Sequence, residues 1–508
     1  MTAVEEDNRP PRPGRSMLKR FALGAVLIAI LSAATVASAV LLEVKTLTTI
    51  VKTESHPIVG IKGALDDVQA GKPETILILG SDRRFVDIKQ KNPARSDTLM
   101  LVRLDPSAGS TAVMNIPRDL RVDIKTRHGY VTDKINSAYA LGGPKLAVET
   151  VRSLLHIPIH HVVNVNFGGF QRAVNRLGCV YVDVDHRYYH SNIGVAPSQQ
   201  FAEINIQPGY QMLCGSKSLD YVRYRHTDSD LVRADRQQDF LRQAKEQIGL
   251  GKLFSDRKEL LRIFGRYTQT DIADDNETGI LRFLKLVLES TKNPIRQVAF
   301  PGRPGATYVT VSPTNLQAAV DDFLHGRQST GPRHRSSGSS SKRHKTKSSS
   351  AAATALAPGL IDDRTQAEDM VAQVSTRLRF PVYFARARLA RGSYPVNTQI
   401  APNPRIYDIF DRKHHRHRAY RVVVYAGLDG EYYGIQGTNW RNPPILTGGD
   451  RVRMRGRNYE VYYDGHRIRM ISWVTPRGAY WISNTLSLTL TNRQMTGIAR
   501  SLTRVGAK

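Results

Sequence analysis

A run of 22 residues without a charged side chain, Phe21–Leu42, constrains the fold of this chain more than any other feature of its sequence. About 20 apolar residues are enough for a helix to cross a bilayer, and a lone segment in lipid can satisfy its backbone hydrogen bonds only as a helix. The fifteen residues before the run carry five cationic side chains, and the fifteen after it carry two. The positive-inside rule therefore predicts a cytoplasmic tail at residues 1–20, a transmembrane helix at 21–42 and an extracytoplasmic location for the rest of the chain.

A cleavable signal peptide is the alternative interpretation of this segment, because Ala37–Ala39 reads Ala-Ser-Ala, a small-residue cleavage pattern. The apolar run exceeds the roughly 7–15 residues usual in a signal peptide, so we predict a retained anchor. Residues 43–72, which have helical spacing, are then expected to form a juxtamembrane stalk.

The formal net charge of +28 over 508 residues predicts an anionic partner. Nucleic acid, an anionic membrane surface and a polyanionic substrate would each suit such a charge. An exported protein seldom meets a chromosome, so we expect no nucleic acid among the partners. The length suggests two or three domains.

The chain has two cysteines, Cys179 and Cys214, and an extracytoplasmic location permits a disulfide between them. Two small buried thiols are the other interpretation. We favour the disulfide, because both cysteines lie in one predicted domain and an even number leaves no odd thiol.

Short apolar runs alternate with helical patterns between residues 73 and 325. Glu74–Asp82, Asp97–Pro106 and Ser110–Leu120 are typical of buried strands that end in polar loops. Further strands are predicted at "HHVVNVN", "CVYVDVD" and "QVAF", and helices from near Pro144, at Phe170–Leu177, at Arg233–Gly249 and at Leu260–Lys292. Strands that alternate with helices predict an α/β domain whose central sheet is mostly parallel and covered on both faces.

The composition changes after this domain. Residues 326–360 are rich in serine, alanine and cationic side chains and have no acidic residue, which is typical of a disordered linker. We interpret its basic block, Lys342–Lys347, as a tether attracted to anionic wall polymer or lipid. Residues 361–508 begin with a helical segment and continue with alternating apolar and polar residues between glycine-containing turns, so they predict a smaller C-terminal β-rich domain.

Charged side chains collect where the predicted strands and turns end. They form four clusters: Asp82–Arg84, Arg95–Asp97, Arg118–Asp119 and, within Tyr221–Gln238, Arg223, Arg225, Asp230, Arg233 and Arg236. Surface ion pairing would explain any one cluster, but together they point to a bound anion, because guanidinium groups bind phosphate through paired hydrogen bonds. The carboxylates of Asp82 and Asp97, with substrate phosphates, are ligands that Mg²⁺ prefers. The combination predicts phosphoryl transfer, which depends mainly on positioning and charge stabilisation.

The strings "ILILGSDRR", "ARSDTLMLVRLDP", "VMNIPRDLRV", "KINSAYALGG" and "YVRYRHTDSDLVRADRQQ", in this order, resemble the motifs of the LytR-CpsA-Psr family of cell-wall glycopolymer ligases. The resemblance covers about residues 74–250. It implies a three-layer α/β/α catalytic domain that holds a polyprenyl-phosphate chain in an apolar tunnel. It further implies a polyprenyl-pyrophosphate-linked glycan as donor, peptidoglycan as acceptor and polyprenyl phosphate as leaving group.

The resemblance also implies roles for individual residues. Asp82 and Asp97 match the magnesium-associated aspartates and, with Arg118 and Asp230, form the expected catalytic set. The residues implied to bind the pyrophosphate are Arg84, Arg95, Arg118, Arg223, Arg225, Arg233, Arg236 and Gln237. Asp230 is either the acid or base for the acceptor hydroxyl or a residue that orients an arginine, and we favour the orienting role. Arg223 and Arg225 are expected on one face of a strand, and Arg233 and Arg236 on one face of the following helix.

Two other functions are compatible with the sequence. One is a non-catalytic regulatory or wall-binding protein that holds a polyanion or lipid pyrophosphate, and the other is a pyrophosphatase that uses water as the acceptor. The pair Asp82 and Asp97 favours a catalytic function over simple anion binding, because carboxylates repel phosphate unless a cation lies between them.

Overall fold

The structure is a computed structural model that describes residues 42–81, 96–196, 202–224, 229–326, 356–395, 402–427 and 430–505. Most of the predicted transmembrane segment, residues 82–95 with Asp82, Arg84 and Arg95, and most of the predicted linker lie outside these ranges. Within them, no helix combines the length and the apolar character that crossing a bilayer requires.

A seven-stranded sheet forms the centre of the first domain. The strands of this domain are β1 (His56–Pro57), β2 (Glu74–Ser81), β3 (Ser96–Leu104), β4 (Thr111–Ile116), β5 (Arg121–Thr126), β6 (Gly129–Lys134), β7 (His161–Asn166), β8 (Val180–Val184), β9 (Tyr188–His190), β10 (Ile204–Ile206), β11 (Gly209–Leu213), β12 (Thr268–Thr270), β13 (Ile295–Val298), β14 (Arg303–Pro304) and β15 (Val309–Thr310). The central sheet has the strand order β1-β12-β7-β2-β3-β4-β13.

The central sheet is mixed, where the sequence predicted a mostly parallel one. The pairs β1/β12, β2/β7 and β4/β13 are parallel, and the pairs β2/β3, β3/β4 and β7/β12 are antiparallel. The six residues 105–110 between β3 and β4 are too few for the crossover that parallel pairing of consecutive strands requires. β8, predicted from its apolar run, lies outside this sheet and pairs antiparallel with β11.

The helices of the first domain are α1 (residues 42–54), α2 (Ser137–Leu155), α3 (Phe167–Leu177), α4 (Gly215–Arg223), α5 (Asp230–Gln247), α6 (Leu250–Ser255), α7 (Arg257–Tyr267), α8 (Glu277–Ser290) and α9 (Pro313–His325). α2 has non-helical torsion angles at Gly142 and Gly143, so its longer segment begins at Pro144, as predicted. The helix predicted over Leu260–Lys292 is wrong as a single element. The threonines of β12 interrupt it, because pairing with β1 and β7 outweighs the local helical pattern.

Alternate side chains of the central strands enter two different cores, as the period of a strand requires. Leu77 and Leu99 pack with α2 and α9 on one face, whereas Ile76 and Leu104 pack with α8 on the other. Helices therefore cover both faces of the sheet, which is the expected three-layer arrangement. Val51 of α1 belongs to the second core, so residues predicted as a stalk are part of the domain.

A buried ionic cluster anchors the start of β7, the strand that leads to the candidate site. The Nδ1 atom of His161 lies 2.7 Å from Asp271 and its Nε2 atom 3.1 Å from Glu74. Burial alone would lower the pKa of His161, but its hydrogen bonds to Asp271 and Glu74 raise that pKa to about 9. Protonated His161 is thus part of the folded state at neutral pH.

We expect the stability of the protein to fall as pH rises from about 6.5 to about 9, because His161 loses its proton over this window. The stabilisation is fully present below the unfolded pKa and is lost as pH passes the folded pKa. His161→Gln should remove this pH dependence and lower the free energy of unfolding by about 3–5 kcal/mol at pH 6, since it removes the cation between two buried carboxylates and leaves Glu74 with only the more distant Arg282, at 3.9 Å. Urea unfolding at several pH values measures both effects. The exposed His128 provides the control His128→Gln, and an unchanged pH profile in His161→Gln would contradict the assignment.

The C-terminal domain is built on a second seven-stranded sheet. The strands of the whole C-terminal domain are β16 (Leu360–Asp362), β17 (Val382–Ala385), β18 (Ala387–Leu389), β19 (Arg405–Phe410), β20 (Arg416–Tyr425), β21 (Tyr432–Thr438), β22 (Asp450–Met454), β23 (Arg457–Asp464), β24 (Arg467–Thr475), β25 (Gly478–Ser483) and β26 (Leu502–Val505). The helices of this domain are α10 (Arg364–Ser375) and α11 (Asn492–Arg500). The sheet order is β19-β20-β21-β25-β24-β23-β22, and every neighbouring pair is antiparallel. The predicted β-rich region is thus confirmed.

Candidate active site

A cavity of about 750 Å³ lies between the central sheet and helices α3, α4 and α5. Its apolar lining consists of Ile78, Met100, Val165, Phe167, Phe170, Leu219, Val222, Phe240 and Leu241. Its polar lining includes Thr98, Asn166, Gln237 and three arginines, Arg118, Arg223 and Arg233. The volume is within the usual range of small-molecule sites. Such a lining suits a ligand with a long apolar part and an anionic group.

Asp230, the first residue of α5, connects two of these arginines. Its Oδ2 atom accepts a hydrogen bond from the backbone N–H of Arg118 at 3.1 Å. Its Oδ1 atom lies 3.0 Å from Nη2 of Arg233 and 3.7 Å from Nε of Arg118. A carboxylate is also favourable at a helix N-terminus, where the backbone N–H groups carry partial positive charge. Asp230 therefore holds the loop after β4 against the first turn of α5 and orients both guanidinium groups.

The side chain of Arg118 begins a row of alternating charges that runs through Asp119 to Lys134. Asp119 lies 4.0 Å from Nε of Arg118 and 2.9 Å from Nζ of Lys134. Side chains of Arg118 and Asp119 are about one fifth exposed, so this end of the row reaches solvent. Lys134 thus contacts the rim of the site through Asp119.

Gln237 is fixed by three different elements where it lines the cavity. Its Nε2 atom donates to Oγ1 of Thr98 and to the carbonyl oxygen of Val222, both at 3.1 Å. Its Oε1 atom accepts from Nδ2 of Asn115 at 3.3 Å, and Asn115 also donates to the carbonyl of Ala234 at 2.6 Å. Asn115 therefore positions Gln237 at the cavity, a contact that the sequence pattern did not predict. The available signal was a polar residue inside the apolar run "AVMNIP".

Arg223 is the last residue of helix α4, so its predicted position on a strand is wrong. Leu219 and Val222, three residues apart, face the cavity with it, and this helical spacing was hidden by the apparent alternation in "YVRYR". Nη2 of Arg223 donates to Asp220 at 2.8 Å, which leaves its guanidinium group beside the ring of Phe167. Arg225 lies outside the described residues.

Arg236 is fully buried and is not among the residues that line the cavity. Its Nη1 atom donates to the carbonyl oxygens of Tyr221 at 3.2 Å and Tyr224 at 2.8 Å, and its guanidinium group stacks on the ring of Tyr188. The spacing of three residues from Arg233 places it about 60° around α5, on the side that α4 covers. Arg236 thus ties the end of α4 to α5, and the structure does not place it with the cavity-lining arginines.

One of the two predicted magnesium ligands, Asp97, falls at a β-bulge between β2 and β3. Gly80 pairs with Thr98 and Ser81 pairs with Ser96, so Asp97 is the extra residue of the bulge. Asp82, which follows Ser81, lies outside the described residues together with Arg84 and Arg95, and only the backbone of Asp97 is described. Among the described residues there is no group of three or more His, Cys, Asp or Glu side chains that could hold a metal ion. The magnesium site therefore stays a prediction.

The predicted disulfide between Cys179 and Cys214 is present. Cys214 immediately precedes α4, the helix that ends at Arg223, and Cys179 immediately precedes β8. The bond thus joins the start of β8 to the start of a helix that lines the cavity.

Removal of this disulfide by Cys179→Ala and Cys214→Ala together should lower the free energy of unfolding by about 3–4 kcal/mol, because the bond closes a loop of 35 residues in the unfolded chain. Urea unfolding followed by circular dichroism measures the change. Wild-type protein treated with a reducing agent serves as the control, since it should shift equally. A double variant as stable as the oxidised wild type would contradict this role.

Comparison with known proteins connects this arrangement to one family. The model of the LytR_cpsA_psr family matches residues 38–322, more than half of the chain. The polyisoprenyl-teichoic acid–peptidoglycan teichoic acid transferase TagU of Halalkalibacterium halodurans is 32% identical over 211 residues, which are 41% of this chain and 64% of that protein. The corresponding transferase TagT of Bacillus subtilis is 37% identical over 167 residues, 33% of this chain and 50% of that protein. The matched region thus spans less than two thirds of each of these relatives.

Similar solved structures include TagT bound to LI-WTA, which is 28% identical, with a TM-score of 0.39 and coverage of 51% of this chain and 93% of that one. The LytR-CPS2A-psr family protein YwtF (TagT) with bound octaprenyl pyrophosphate lipid is 26% identical, with a TM-score of 0.36 and the same coverage.

Proposed function

The chain belongs to the LytR-CpsA-Psr family, and from this premise we propose that it is a membrane-anchored, extracytoplasmic phosphotransferase that joins a polyprenyl-pyrophosphate-linked glycopolymer to peptidoglycan. The relatives named as teichoic acid transferases support this reaction class. The apolar segment at residues 21–42 supports a single membrane anchor.

One observation carries the proposal, the joining of an apolar cavity to a cluster of arginines. Nine apolar side chains line the cavity and would enclose a prenyl chain, which gains free energy by leaving water. Arg118, Arg223 and Arg233 would bind the pyrophosphate, where guanidinium groups match phosphate oxygens. The apolar side chains and the arginines line the same cavity, as a lipid with a charged head group requires.

The reaction would proceed by attack of an acceptor hydroxyl oxygen on the phosphorus that carries the glycan. The new phosphorus–oxygen bond replaces the bond to the bridging oxygen of the pyrophosphate, and polyprenyl phosphate leaves with the electron pair. The acceptor proton passes to a general base. Both carboxylate oxygens of Asp230 already contact Arg118 or Arg233, so we assign Asp230 the orienting role.

Magnesium is compatible with the backbone register at the β-bulge, because Asp97 is its extra residue and Ser81, which directly precedes Asp82 in the sequence, pairs with Ser96. We propose Asp82 and Asp97 as its ligands. The bound ion would neutralise charge that develops on the pyrophosphate. Arg118, Arg223 and Arg233 stabilise the same charge from the protein.

The test is a transfer assay with the full chain in detergent. The reactants are a polyprenyl-pyrophosphate-linked glycan, peptidoglycan oligomers and Mg²⁺, and mass spectrometry detects glycan joined to peptidoglycan through phosphate. Joined product supports the transferase. Lipid binding without any product would favour a non-catalytic binding protein, and free glycan phosphate in the absence of joined product would favour a pyrophosphatase.

A further inference from the structure

Helix α5 presents opposite faces to two different parts of the molecule. The residues of its first face, spaced three and four apart, are Asp230, Arg233 and Gln237. Arg233 and Gln237 line the cavity, and Asp230 contacts Arg233. Another set with spacings of four, three and four consists of Asp235, Asp239, Arg242 and Glu246. At about 100° per residue, the two sets point in roughly opposite directions. The second set faces the C-terminal domain.

Arg242 makes the central contact of this second face. Its Nη1 atom donates to Oδ2 of Asp464, at the end of β23, at 2.7 Å. The other carboxylate oxygen of Asp464 accepts from the backbone N–H of Gln297 on β13 at 3.3 Å. Arg242 is 7% exposed and Asp464 is 5% exposed. One carboxylate of the C-terminal domain therefore holds both α5 and the edge strand of the central sheet.

Two further contacts flank the first along the same helix. Ser487 of the C-terminal domain donates to Oδ2 of Asp235, one turn before Asp239. Nη2 of Arg469, on β24, donates to Glu246 at 2.9 Å. The contacts thus run from Asp235 to Glu246, eleven residues or about 16 Å of helix.

A second carboxylate fixes the strand next to α5. Asp183 on β8 accepts hydrogen bonds from Arg421, Ser483 and the Nε1 atom of Trp481, the last at 3.1 Å. Tyr181 and Tyr210 of the first domain share an apolar cluster with Trp481. The Oε1 atom of Gln243, on α5, accepts a hydrogen bond from the backbone N–H of Asp183 at 3.3 Å. β8 and α5 are therefore held together against the C-terminal sheet.

Buried ion pairs add little net stability, because the loss of hydration opposes their attraction, but they require a defined geometry. The pairs Arg242–Asp464 and Arg421–Asp183 are both buried between the domains. Arg233 and Arg242 are nine residues apart on one helix, a rigid element. The placement of Arg242 is therefore coupled to the placement of Arg233 at the cavity.

We propose that the C-terminal domain positions the cavity-facing side chains of α5, and that Asp464 is a positioning residue for ligand recognition at the cavity. The inference rests on the proposed function for its ligand, a lipid pyrophosphate. It adds to that function a role for a domain that begins after the region matched by the family model.

The experiment compares two ligands in the full chain. Octaprenyl pyrophosphate tests the arginines and the cavity together, whereas octaprenol tests the apolar cavity alone. Asp464→Asn, which keeps the shape of the side chain, should weaken octaprenyl pyrophosphate binding about tenfold or more, as expected when a charged hydrogen-bonding group is displaced. It should change octaprenol binding by no more than about twofold.

The matched control is Asp363→Asn. Asp363 forms a half-buried ion pair with Arg388, inside the C-terminal domain and apart from α5. This control should leave both dissociation constants unchanged. If Asp464→Asn does not fold, as judged by circular dichroism, the milder Ser487→Ala replaces it. Ser487→Ala should also weaken octaprenyl pyrophosphate binding more than octaprenol binding, but by a smaller factor than Asp464→Asn.

Equal weakening of both ligands would overturn the inference, because a loosened fold affects the whole cavity. Unchanged binding of both ligands in Asp464→Asn and Ser487→Ala would also overturn it. The binding assay does not depend on turnover. A wild-type protein that prefers the pyrophosphate but transfers nothing would therefore contradict only the proposed transferase, and loss of the preference in Asp464→Asn would still support the positioning role.

Discussion

Arg118→Ala is expected to lower the rate of glycan transfer by about 10²–10³-fold, the usual effect of removing one preorganised donor to a developing negative charge. The guanidinium group of Arg118 lines the cavity and lies 3.7 Å from Asp230. The contact that joins its loop to α5 uses the backbone N–H of Arg118, which alanine retains. Activity should therefore fall with little change in the fold, and transfer rate and melting temperature measure the two effects.

Arg121→Ala is the control for this experiment. Arg121 is an exposed arginine three residues further along the chain, on β5, and it is not part of the cavity lining. Its loss changes the net charge equally and should leave transfer intact. Equal transfer rates in Arg118→Ala and Arg121→Ala would show that Arg118 is not part of the active site.

Asp97→Asn should abolish the magnesium dependence of transfer and lower the rate by at least as much as Arg118→Ala, since it removes a proposed ligand of the ion that neutralises the pyrophosphate. Asp97 is the extra residue of the β-bulge and precedes Thr98, which lines the cavity. Bulges commonly occur beside active sites, where they redirect a side chain. The measurement is the transfer rate as a function of magnesium concentration, with an excess of chelator giving the rate at zero free magnesium.

Asp123→Asn provides the comparison, because Asp123 is an exposed carboxylate on β5. It should follow the wild-type magnesium titration. If Asp97→Asn also follows that titration, Asp97 does not hold the ion and the proposed metal site is wrong.

The strands beside the site could be predicted because their signal is local. β2, β3 and β4 are short apolar runs bounded by polar residues. β2 and β3 lie within two residues of their predicted limits, whereas β4 ends at Ile116, just before Pro117 and four residues short of its predicted limit. The arginines of the site followed from ordered motifs, and Arg118, Arg223 and Arg233 do line one cavity. Gln237, expected from the same motif, lies there as well.

Other features depend on partners that are distant in sequence. Arg233 and Arg236 were assigned alike, yet Arg236 lies beneath α4, and only the packing of α4 on α5 separates them. The helical pattern over Leu260–Lys292 gave no sign of β12, which exists because β1 and β7 offer it hydrogen bonds. Likewise, the charges at Asp235, Asp239, Arg242 and Glu246 look like an ordinary solvated helix face.

The sequence by itself determined the family, the strands β2, β3 and β4 beside the cavity and the presence of arginines in the cavity lining, because these reside in neighbouring residues and ordered motifs. Tertiary structure alone decided the mixed sheet, the separate roles of Arg233 and Arg236, and the attachment of α5 to the C-terminal domain through Arg242 and Asp464. The physical reason is the same in each case. Strand pairing and burial are properties of two surfaces in contact, and a local pattern describes only one of them.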